Sequence, residues 1–425
     1  MTESTGSRRK TLHTLFIASL IGLGVLSGCD NSNESPSAEA PESKTLRDVL
    51  IVGNNWEGTA DILAVPGYQR LQRVNVVPDL EERRSEILRN PVRLIYYHAI
   101  RQLIGEGNDQ LVDDMYASKD GKTLFVSRPS LADVVAIDLA SGEIVWRTPV
   151  AGQRSDHMAI SPDGTRLVVS ASTANVVHVI DTATGAILGD VPSGDSPHES
   201  VFSHDGKLIY HASIGLVYTP LDNPILDTSK GERFFEIIDA ETLEVLHTFN
   251  PAEKLEEAGY PGMSAAMRPM AHSPDERFLY FQVSFFHGFV EYDLQEDRVT
   301  RVAELPVSEE AAGLRRDQYI LDSAHHGIAM SGDGEKLCIA GTMSNYAAIV
   351  QRDTFEYKIH DLGARTYWAT TSEDGEYCYV SVAGDDTLSV ISYATEEEVA
   401  RVSVGDHPQR ARTARLSRSL FESAE

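Results

Sequence analysis

The sequence predicts an all-β fold, a seven-bladed β-propeller with long loops on one face. A short polar turn, usually ending in Asp-Gly, recurs along the chain, and each turn is followed by runs of β-branched and aromatic residues. Both ends of the chain also hold strand-like segments that belong to no complete unit. Because repeats of about 40–45 residues are typical of four-stranded propeller blades, we expect one blade per turn.

The recurring turns set the spacing of six units. Successive turns lie 43, 42, 70, 58 and 41 residues apart. Three intervals match one blade each, and the two longer ones indicate blades that carry insertions. The turns are Lys119-Asp120-Gly121, Pro162-Asp163-Gly164, His204-Asp205-Gly206, Pro274-Asp275-Glu276, Gly332-Asp333-Gly334 and Glu373-Asp374-Gly375.

The segments after each turn have strand character. After the first turn, residues 123–127 (Thr-Leu-Phe-Val-Ser) and 134–138 (Val-Val-Ala-Ile-Asp) are apolar and β-branched, and the second run ends at Ser141-Gly142. Six such units account for residues 112–405, so a seventh needs both chain ends. Residues 48–78 supply three strands and residues 407–412 an innermost fourth. This pairing closes the ring and leaves no open sheet edge.

The repeated units resemble the YVTN-type β-propeller repeats of surface-layer-protein-like and haem-d1-domain-like proteins, over roughly residues 48–412. The resemblance implies the propeller fold and leaves the function open. Such propellers include binding modules, electron-transfer partners, lactonases and metal enzymes.

The first residues are typical of an export signal. Basic residues at positions 8–10 precede an apolar run at 15–26, which is too short to span a bilayer comfortably. The segment Leu26-Ser27-Gly28-Cys29 resembles the lipobox of bacterial lipoproteins, which implies cleavage and lipidation of Cys29. A plain secretory signal or a short membrane helix is the alternative.

These features predict four segments. Residues 1–29 are a lipoprotein signal peptide, 30–46 a flexible linker poor in apolar residues, 47–416 the propeller and 417–425 a C-terminal tail. The protein is then expected to be lipid-anchored to a bacterial membrane and to face the periplasm or the cell exterior.

The charge of the chain limits its partners. The 425 residues include 37 Lys+Arg and 64 Asp+Glu, a formal charge of −27. A nucleic-acid partner is excluded, because binding phosphates needs clustered basic residues. A metal ion, a small molecule and a protein partner are all compatible with this charge.

All long insertions fall on one predicted face. Residues 79–111, 249–267 and 307–322 lie between blades, and residues 212–232 lie between the second and third strands of one blade. In a four-stranded blade both kinds of connection emerge on the same face. Long loops are typical of functional sites, although one face can simply tolerate insertion.

The innermost strand of each blade begins on that same face, about eight positions before the last residue of its turn. Polar residues occupy these positions. Second-strand ends emerge beside them. The innermost positions are Asp113, Asp114, Asp156, His157, His198, Glu199, Arg268, His325, His326, Tyr367, Trp368, Gln409 and Arg410, and the second-strand ends add Asn54, Trp56, Arg128, His211, His287 and Asn345.

Four histidines from four blades stand in or beside this ring, and they predict a transition-metal site for Zn, Cu or Fe. Three imidazoles with a carboxylate bind such ions and leave an open coordination position. A small-molecule pocket or a polar plug are the alternatives. The predicted metal ligands are His157, His198, His326 and His407.

The other ring residues predict a pocket for a small anionic or aromatic ligand. Guanidinium groups can form planar forks toward a carboxylate or phosphate, or pair with the acidic residues of the ring. The predicted ligand-binding residues are Asp114, Asp156, Glu199, Arg128, Arg268, Tyr367, Trp368, Arg410, His211 and His287.

Three functions therefore stay open: a module that holds a metal or small anionic ligand, a metal-dependent enzyme (hydrolase, lyase or oxidoreductase), and a protein-interaction scaffold. The sequence contains no Gly-x-Ser-x-Gly, phosphate-loop, His-Glu-x-x-His or Cys-x-x-Cys-His motif, and no catalytic residue is assigned.

Two further cysteines lie on second strands of neighbouring blades. Cys338 and Cys378 follow their turns by four and three residues, so their side chains point to opposite blade faces and can meet between blades. A disulfide is one prediction, and two buried thiols are the other.

Overall fold

Seven four-stranded antiparallel sheets form the fold, which confirms the predicted seven-bladed β-propeller. The structure is a computed structural model that describes residues 45–217 and 224–422. The predicted signal peptide, the predicted lipidation site Cys29 and residues 30–44 of the predicted linker lie outside the described residues. Within the described ranges, no helix is both long enough and apolar enough to cross a membrane.

Each blade from the second onward is a meander of four consecutive strands. The middle strands are buried on both faces because neighbouring blades pack against each side, whereas the fourth strands are largely exposed. The strands of blades 2–4 are β4 (Met115–Ala117), β5 (Thr123–Arg128), β6 (Asp133–Asp138), β7 (Ile144–Pro149), β8 (Ser155–Ile160), β9 (Arg166–Ala171), β10 (Val176–Asp181), β11 (Ile187–Pro192), β12 (Pro197–Phe202), β13 (Leu208–Ser213), β14 (Phe235–Asp239) and β15 (Val245–Phe249).

Blades 5–7 repeat the same order, and apolar clusters fill the space between neighbouring blades. One example is the cluster that joins Phe289 of blade 5 to Leu337 of blade 6. The strands are β16 (Met267–His272), β17 (Phe278–Val283), β18 (Gly288–Asp293), β19 (Arg298–Glu304), β20 (Gly327–Met330), β21 (Lys336–Gly341), β22 (Tyr346–Gln351), β23 (Tyr357–Asp361), β24 (Thr366–Thr371), β25 (Tyr377–Val382), β26 (Thr387–Ser392) and β27 (Glu397–Ser403).

Blade 1 joins the two ends of the propeller. Its strands β1 (Leu46–Asn54), β2 (Thr59–Ala64) and β3 (Arg70–Asn75) pair with β28 (Pro408–Ser417), which takes the innermost place. Leu46 pairs with Ser417 at one end of the β1–β28 ladder and Asn54 with Pro408 at the other. The ring is therefore closed by hydrogen bonds between the chain ends, as the sequence predicts.

A local side-chain bond explains the repeated turns. In the turn before β9, the Ser161 hydroxyl donates to Asp163 Oδ1 over 2.5 Å, and Gly164 has φ 75°. The aspartate fixes the turn and glycine takes the left-handed position without steric cost. In blade 5, Glu276 takes that position with φ 52°, so the conformation persists without glycine.

Parts of the insertions fold as helices. Between blades 1 and 2 lie α1 (Leu80–Arg89) and α2 (Pro91–Leu103), where the Asn90 side chain accepts a hydrogen bond at the start of α2. The insertion before blade 5 contains α3 (Pro251–Glu257), and the insertion before blade 6 contains α4 (Glu309–Ala312).

A disulfide ties blade 6 to blade 7. Cys338 of β21 and Cys378 of β25 are bonded, and their Cα atoms lie 6.4 Å apart. Both residues are buried. The bridge therefore crosses the apolar interface between the two blades.

Candidate functional site

Three imidazoles from three blades meet at the mouth of the channel. His157 lies on β8, His198 on β12, and His326 directly precedes β20. The ring centroids are 3.9 Å apart for His157 and His198, 5.6 Å for His198 and His326, and 6.0 Å for His157 and His326. One nitrogen from each ring lies within 4.8 Å of the others, and all three residues are buried. We call these three residues the histidine cluster.

Shifts in strand pairing explain why two consecutive side chains per blade reach this mouth. The register of β8 with β9 shifts between Ser155 and Met158, and that of β12 with β13 shifts between Pro197 and Ser200. A bulge of this kind bends the strand and re-aims its side chains. The residues between these limits, 156–157 and 198–199, are the ones that supply the site.

His157 is held from both sides. Its Nδ1 lies 2.5 Å from Oε2 of Glu199, and its Nε2 contacts Nη2 of Arg410. Burial raises the pKa of Glu199 to about 7, while burial and the Arg410 charge lower the pKa of His157 well below its usual value. A neutral His157 with its proton on Nδ1 leaves the lone pair of Nε2 to accept a hydrogen bond from Nη2 of Arg410.

The other two rings of the cluster differ from His157 at Nδ1. Among the described residues, Nδ1 of His198 and Nδ1 of His326 have no hydrogen-bond partner. Burial lowers the pKa of both well below the usual value, and the Arg268 charge lowers it further. Neutral imidazole is the form that binds metal ions. The cluster therefore offers three neutral nitrogen donors.

A carboxylate pair adjoins the cluster. Asp113, Asp156 and His157 also place one potential ligand atom each within 4.8 Å of one another. Arg154 contacts Asp156, and Arg410 lies 2.8 Å from Asp113. Burial raises the pKa of Asp113 to about 7, opposed by the Arg410 charge.

Arg410 also lies on an aromatic face. Its guanidinium carbon is 4.4 Å from the Trp368 ring centroid. Arg412 lies 5.1 Å from the same centroid, and it pairs with Asp114 over 2.7 Å. These contacts surround the buried Arg410 and the partly buried Arg412 with one indole and two carboxylates, which offsets part of the cost of removing the cations from water.

A small cavity adjoins the histidine cluster. The space open to water-sized molecules is about 50 Å³, enough for a few waters or a small ligand. Apolar side chains from three insertions form part of its wall: Ile104 after α2, Ile214 and Val217 after β13, and Leu321 before blade 6. Its polar lining is Gln110, Asp113, Arg154, Asp156, His157, His198, Arg268, His326, Tyr367 and Gln409.

The structure brings most of the residues singled out by the sequence to this mouth. Asp156, Arg268 and Tyr367 line the cavity beside the cluster, and Glu199, Trp368, Arg410 and Asp114 lie behind it. Arg268 donates to the Ser284 hydroxyl over 2.9 Å and to the carbonyl oxygen of Leu321.

Four predicted site residues lie elsewhere. His407 stacks on Trp56 with ring centroids 3.7 Å apart and lines a neighbouring small pocket. The remaining three bind other partners: Arg128 pairs with Asp79 and Asp133 at 2.6 and 2.8 Å, His211 bonds Ser193 and Ser200 at 2.7 and 2.9 Å, and His287 bonds Tyr319 at 3.1 Å.

Two polar residues of the cavity were not predicted as site residues. Arg154 lies two positions before Asp156, and side chains two positions apart on a strand point to the same face. This spacing could have predicted Arg154 as a site residue. Its Nη2 donates to Oε1 of Gln110 over 3.2 Å. Gln110 lies in the segment that connects α2 to blade 2, where no strand periodicity predicts its position.

The fold and site together define a seven-bladed β-propeller with histidine and aspartate groups that could bind a metal at one channel mouth. The structure is similar to a solved structure described as Kuenenia stuttgartiensis hydrazine synthase, with a TM-score of 0.53 and 16% sequence identity over 73% of this chain and 96% of that chain. This similarity shows the propeller fold. No protein-family model matches the chain, and no curated protein does.

Proposed function

We propose that this protein is an extracytoplasmic, YVTN-like β-propeller that binds a transition-metal ion (Zn, Cu or Fe) through His157, His198 and His326. The observation that carries the proposal is the meeting of three buried imidazoles from separate blades within 4.8 Å. Three nitrogen donors are the ligand set of open metal sites, in which a fourth position takes water or a ligand.

The imidazole nitrogens of the histidine cluster are suitable ligands for a transition-metal ion. A buried nitrogen without a hydrogen-bond partner costs on the order of 1–3 kcal/mol, and His198 and His326 each carry one. Coordination through these two Nδ1 atoms would offset that cost. Glu199 acts as the outer partner that fixes the tautomer of a metal-ligating histidine.

Arg410 opposes this arrangement, because its positive charge contacts Nε2 of His157. Its other partners make displacement feasible. Nη1 lies 2.8 Å from Oδ1 of Asp113, and Nε lies 3.7 Å from Oδ2 of Asp114. We therefore expect Arg410 to turn toward these carboxylates when an ion is bound.

Elemental analysis of protein purified without a histidine tag tests the proposal. We expect close to one ion per chain, lost in His198→Ala and His326→Ala. His178→Ala is the matched control, since His178 is buried and bonds Asp190 on the outer part of blade 3. Less than about 0.2 ion per wild-type chain, even after incubation with Zn, Cu or Fe(II) ions, would refute the metal site.

A small anionic ligand is the second candidate. Arg154 and Arg268 line the cavity, and Arg410 adjoins it, within a chain of formal charge −27. Guanidinium groups are the preferred partners of carboxylates and phosphates. Calorimetric titration with formate and with phosphate should detect binding that weakens in Arg268→Gln and persists in the surface control Arg277→Gln.

A metal-dependent hydrolase, lyase or oxidoreductase is an extension of the first proposal. The cavity beside the cluster gives room for a substrate, and Oδ2 of Asp113 has no partner among the described residues. If neither metal nor anion binds, the fold is better interpreted as a protein-interaction scaffold.

We also propose that Cys29 carries a lipid that anchors the protein to a bacterial membrane, with the propeller in the periplasm or outside the cell. The support is the Leu-Ser-Gly-Cys segment after an apolar run. Detergent-phase partitioning of wild type and Cys29→Ser tests it: the wild type should enter the detergent phase, and a wild type confined to the aqueous phase would refute the anchor.

A further inference from the structure

We propose that the insertion at residues 307–322, here called the strap, is a lid over the cavity, and that the buried ion pair between Lys230 and Asp322 holds it closed. The proposal rests on the proposed function, because it assigns control of access to the same site. Its structural part can be tested without any bound ion.

Two ion pairs join the strap to the 212–232 insertion. Nζ of Lys230 lies 2.6 Å from Oδ2 of Asp322, and both side chains are only 3% exposed. Nη1 of Arg316 lies 2.9 Å from Oδ2 of Asp227 in a partly exposed position. The two segments are far apart in sequence, and these two ion pairs connect them in the structure.

An aromatic ring lies between the two pairs. Phe285 has the Lys230 Nζ atom 5.1 Å and the Arg316 guanidinium carbon 4.6 Å from its ring centroid. Its backbone N–H donates to the carbonyl of Asp322 over 3.0 Å. The strap is thus also tied to blade 5, next to the buried pair.

The residue beside the pair forms part of the cavity wall. Leu321 lines the cavity, and its carbonyl accepts a hydrogen bond from Arg268. Any movement of Asp322 therefore moves a wall residue and a contact of a cavity arginine. Ile104 and Val217, from two other insertions, line the same cavity, so displacement of Leu321 would widen its mouth.

The backbone at this point is held in an unfavourable conformation. Leu321 has φ 50° and Asp322 has φ 60°, a left-handed region that residues other than glycine rarely adopt twice in succession. Such a conformation persists only where the surroundings enforce it. Loss of the Lys230 contact removes one of those restraints, and the strap can then relax away from the cavity.

The buried ion pair between Lys230 and Asp322 is the contact that holds the strap closed, and we call it the latch. Asp322 is 2% exposed, and its Oδ1 has no partner among the described residues. Removing the cation would leave a buried carboxylate without its ion-pair partner, which favours exposure to water. Replacing both members by apolar groups should restore closure, because buried ion pairs can often be exchanged for apolar residues of similar volume.

The experiment compares Lys230→Met, the double variant K230M/D322M and the control Lys336→Met. Lys336 pairs with Glu396 over 2.8 Å on other blades. Hydrogen exchange of the full chain in detergent, followed by peptide mass spectrometry, reports on residues 312–326. We expect at least tenfold faster exchange there in K230M, and wild-type rates in the double variant and in K336M.

The same proteins loaded with Zn²⁺ are then treated with excess EDTA. Metal should leave K230M at least tenfold faster than wild type, with unchanged stoichiometry. Unchanged exchange of 312–326 in folded K230M would overturn the latch. If K230M does not fold, Asp322→Asn replaces it, and a wild-type exchange rate in that variant overturns the latch equally. Accelerated exchange in protein that binds no Zn²⁺ would support the latch and refute a zinc site in the histidine cluster.

Discussion

Oε2 of Glu199 lies 2.5 Å from Nδ1 of His157, and the two residues come from the innermost strands of neighbouring blades. A carboxylate at Nδ1 keeps the imidazole proton there, so Nε2 remains the donor atom. The pair also aligns blade 3 with blade 4 at the channel mouth. One contact therefore sets both the tautomer and the position of the ring.

Replacing Glu199 should weaken metal binding. We expect Glu199→Ala to lower Zn²⁺ affinity by about 10–100-fold, because the outer partner of a ligating histidine is lost. Glu199→Gln should cost less, since its amide oxygen can still accept from Nδ1. Competition with a chromophoric chelator gives the constants. Asp190→Ala, which removes the carboxylate partner of His178, should leave them unchanged; equal losses in both alanine variants would contradict the assignment.

Arg128 should be a stability residue. Its side chain is fully buried between Asp79 and Asp133, and Asp133 is also fully buried. Arg128→Met should lower the free energy of unfolding by about 3–5 kcal/mol, because breaking a buried pair leaves a carboxylate without its cation. Urea unfolding measures this. The exposed Arg298, paired with the exposed Glu296, provides the control Arg298→Met, for which we expect less than about 1 kcal/mol.

Buried His211 should make the fold sensitive to acid. Burial lowers its pKa to about 4, against about 6.5 in an unfolded chain. The unfolded state therefore binds the proton first. The contribution of His211 to stability is complete above pH 6.5 and is lost as pH falls from 6.5 toward 4, up to about 3 kcal/mol.

His211→Gln should flatten that pH dependence. The test is the urea midpoint at pH 7.5, 6, 5 and 4.5 for wild type and variant. The gap between the two proteins should narrow as the pH falls. A constant gap over this range would show that protonation of His211 does not contribute.

The disulfide should stabilise the propeller without affecting the metal site. Cys338 and Cys378 are 40 residues apart, and closing a loop of that length is worth about 2–4 kcal/mol. The double variant C338A/C378A should therefore melt at a lower temperature, with unchanged metal content. Thiol titration of denatured, unreduced wild type should find neither cysteine reactive, and two reactive thiols beyond Cys29 would reject the bridge.

Local chemistry explains why the blades were predictable. Each Ser-x-Asp turn is fixed within a few residues, as Ser161 and Asp163 show, so spacing along the sequence reports blade spacing directly. Closure by β28 followed from counting strands. The insertions were less predictable, because the position of α2 depends on contacts that differ from blade to blade.

Register explains the partial success at the site. His198 and His326 precede the glycine of their turns by eight residues and His157 by seven, so the three lie within one residue of the same register at the starts of converging inner strands. The register does not predict, however, which residues from other parts of the chain a side chain will contact. Arg128 shares the correct face, yet Asp79 in the first insertion and Asp133 hold it in the wall. His407 likewise begins a blade but stacks on Trp56.

The β1–β28 ladder has a consequence for handling the molecule. Gln409, beside the Pro408 end of the ladder, lines the cavity, whereas Leu46 and Ser417 pair at the opposite end. The first and last residues of the propeller therefore lie on the face of the ring opposite the cavity mouth. Immobilising the protein on a sensor chip through a C-terminal tag should thus leave the cavity mouth directed toward the flowing solution, where ligands can reach it.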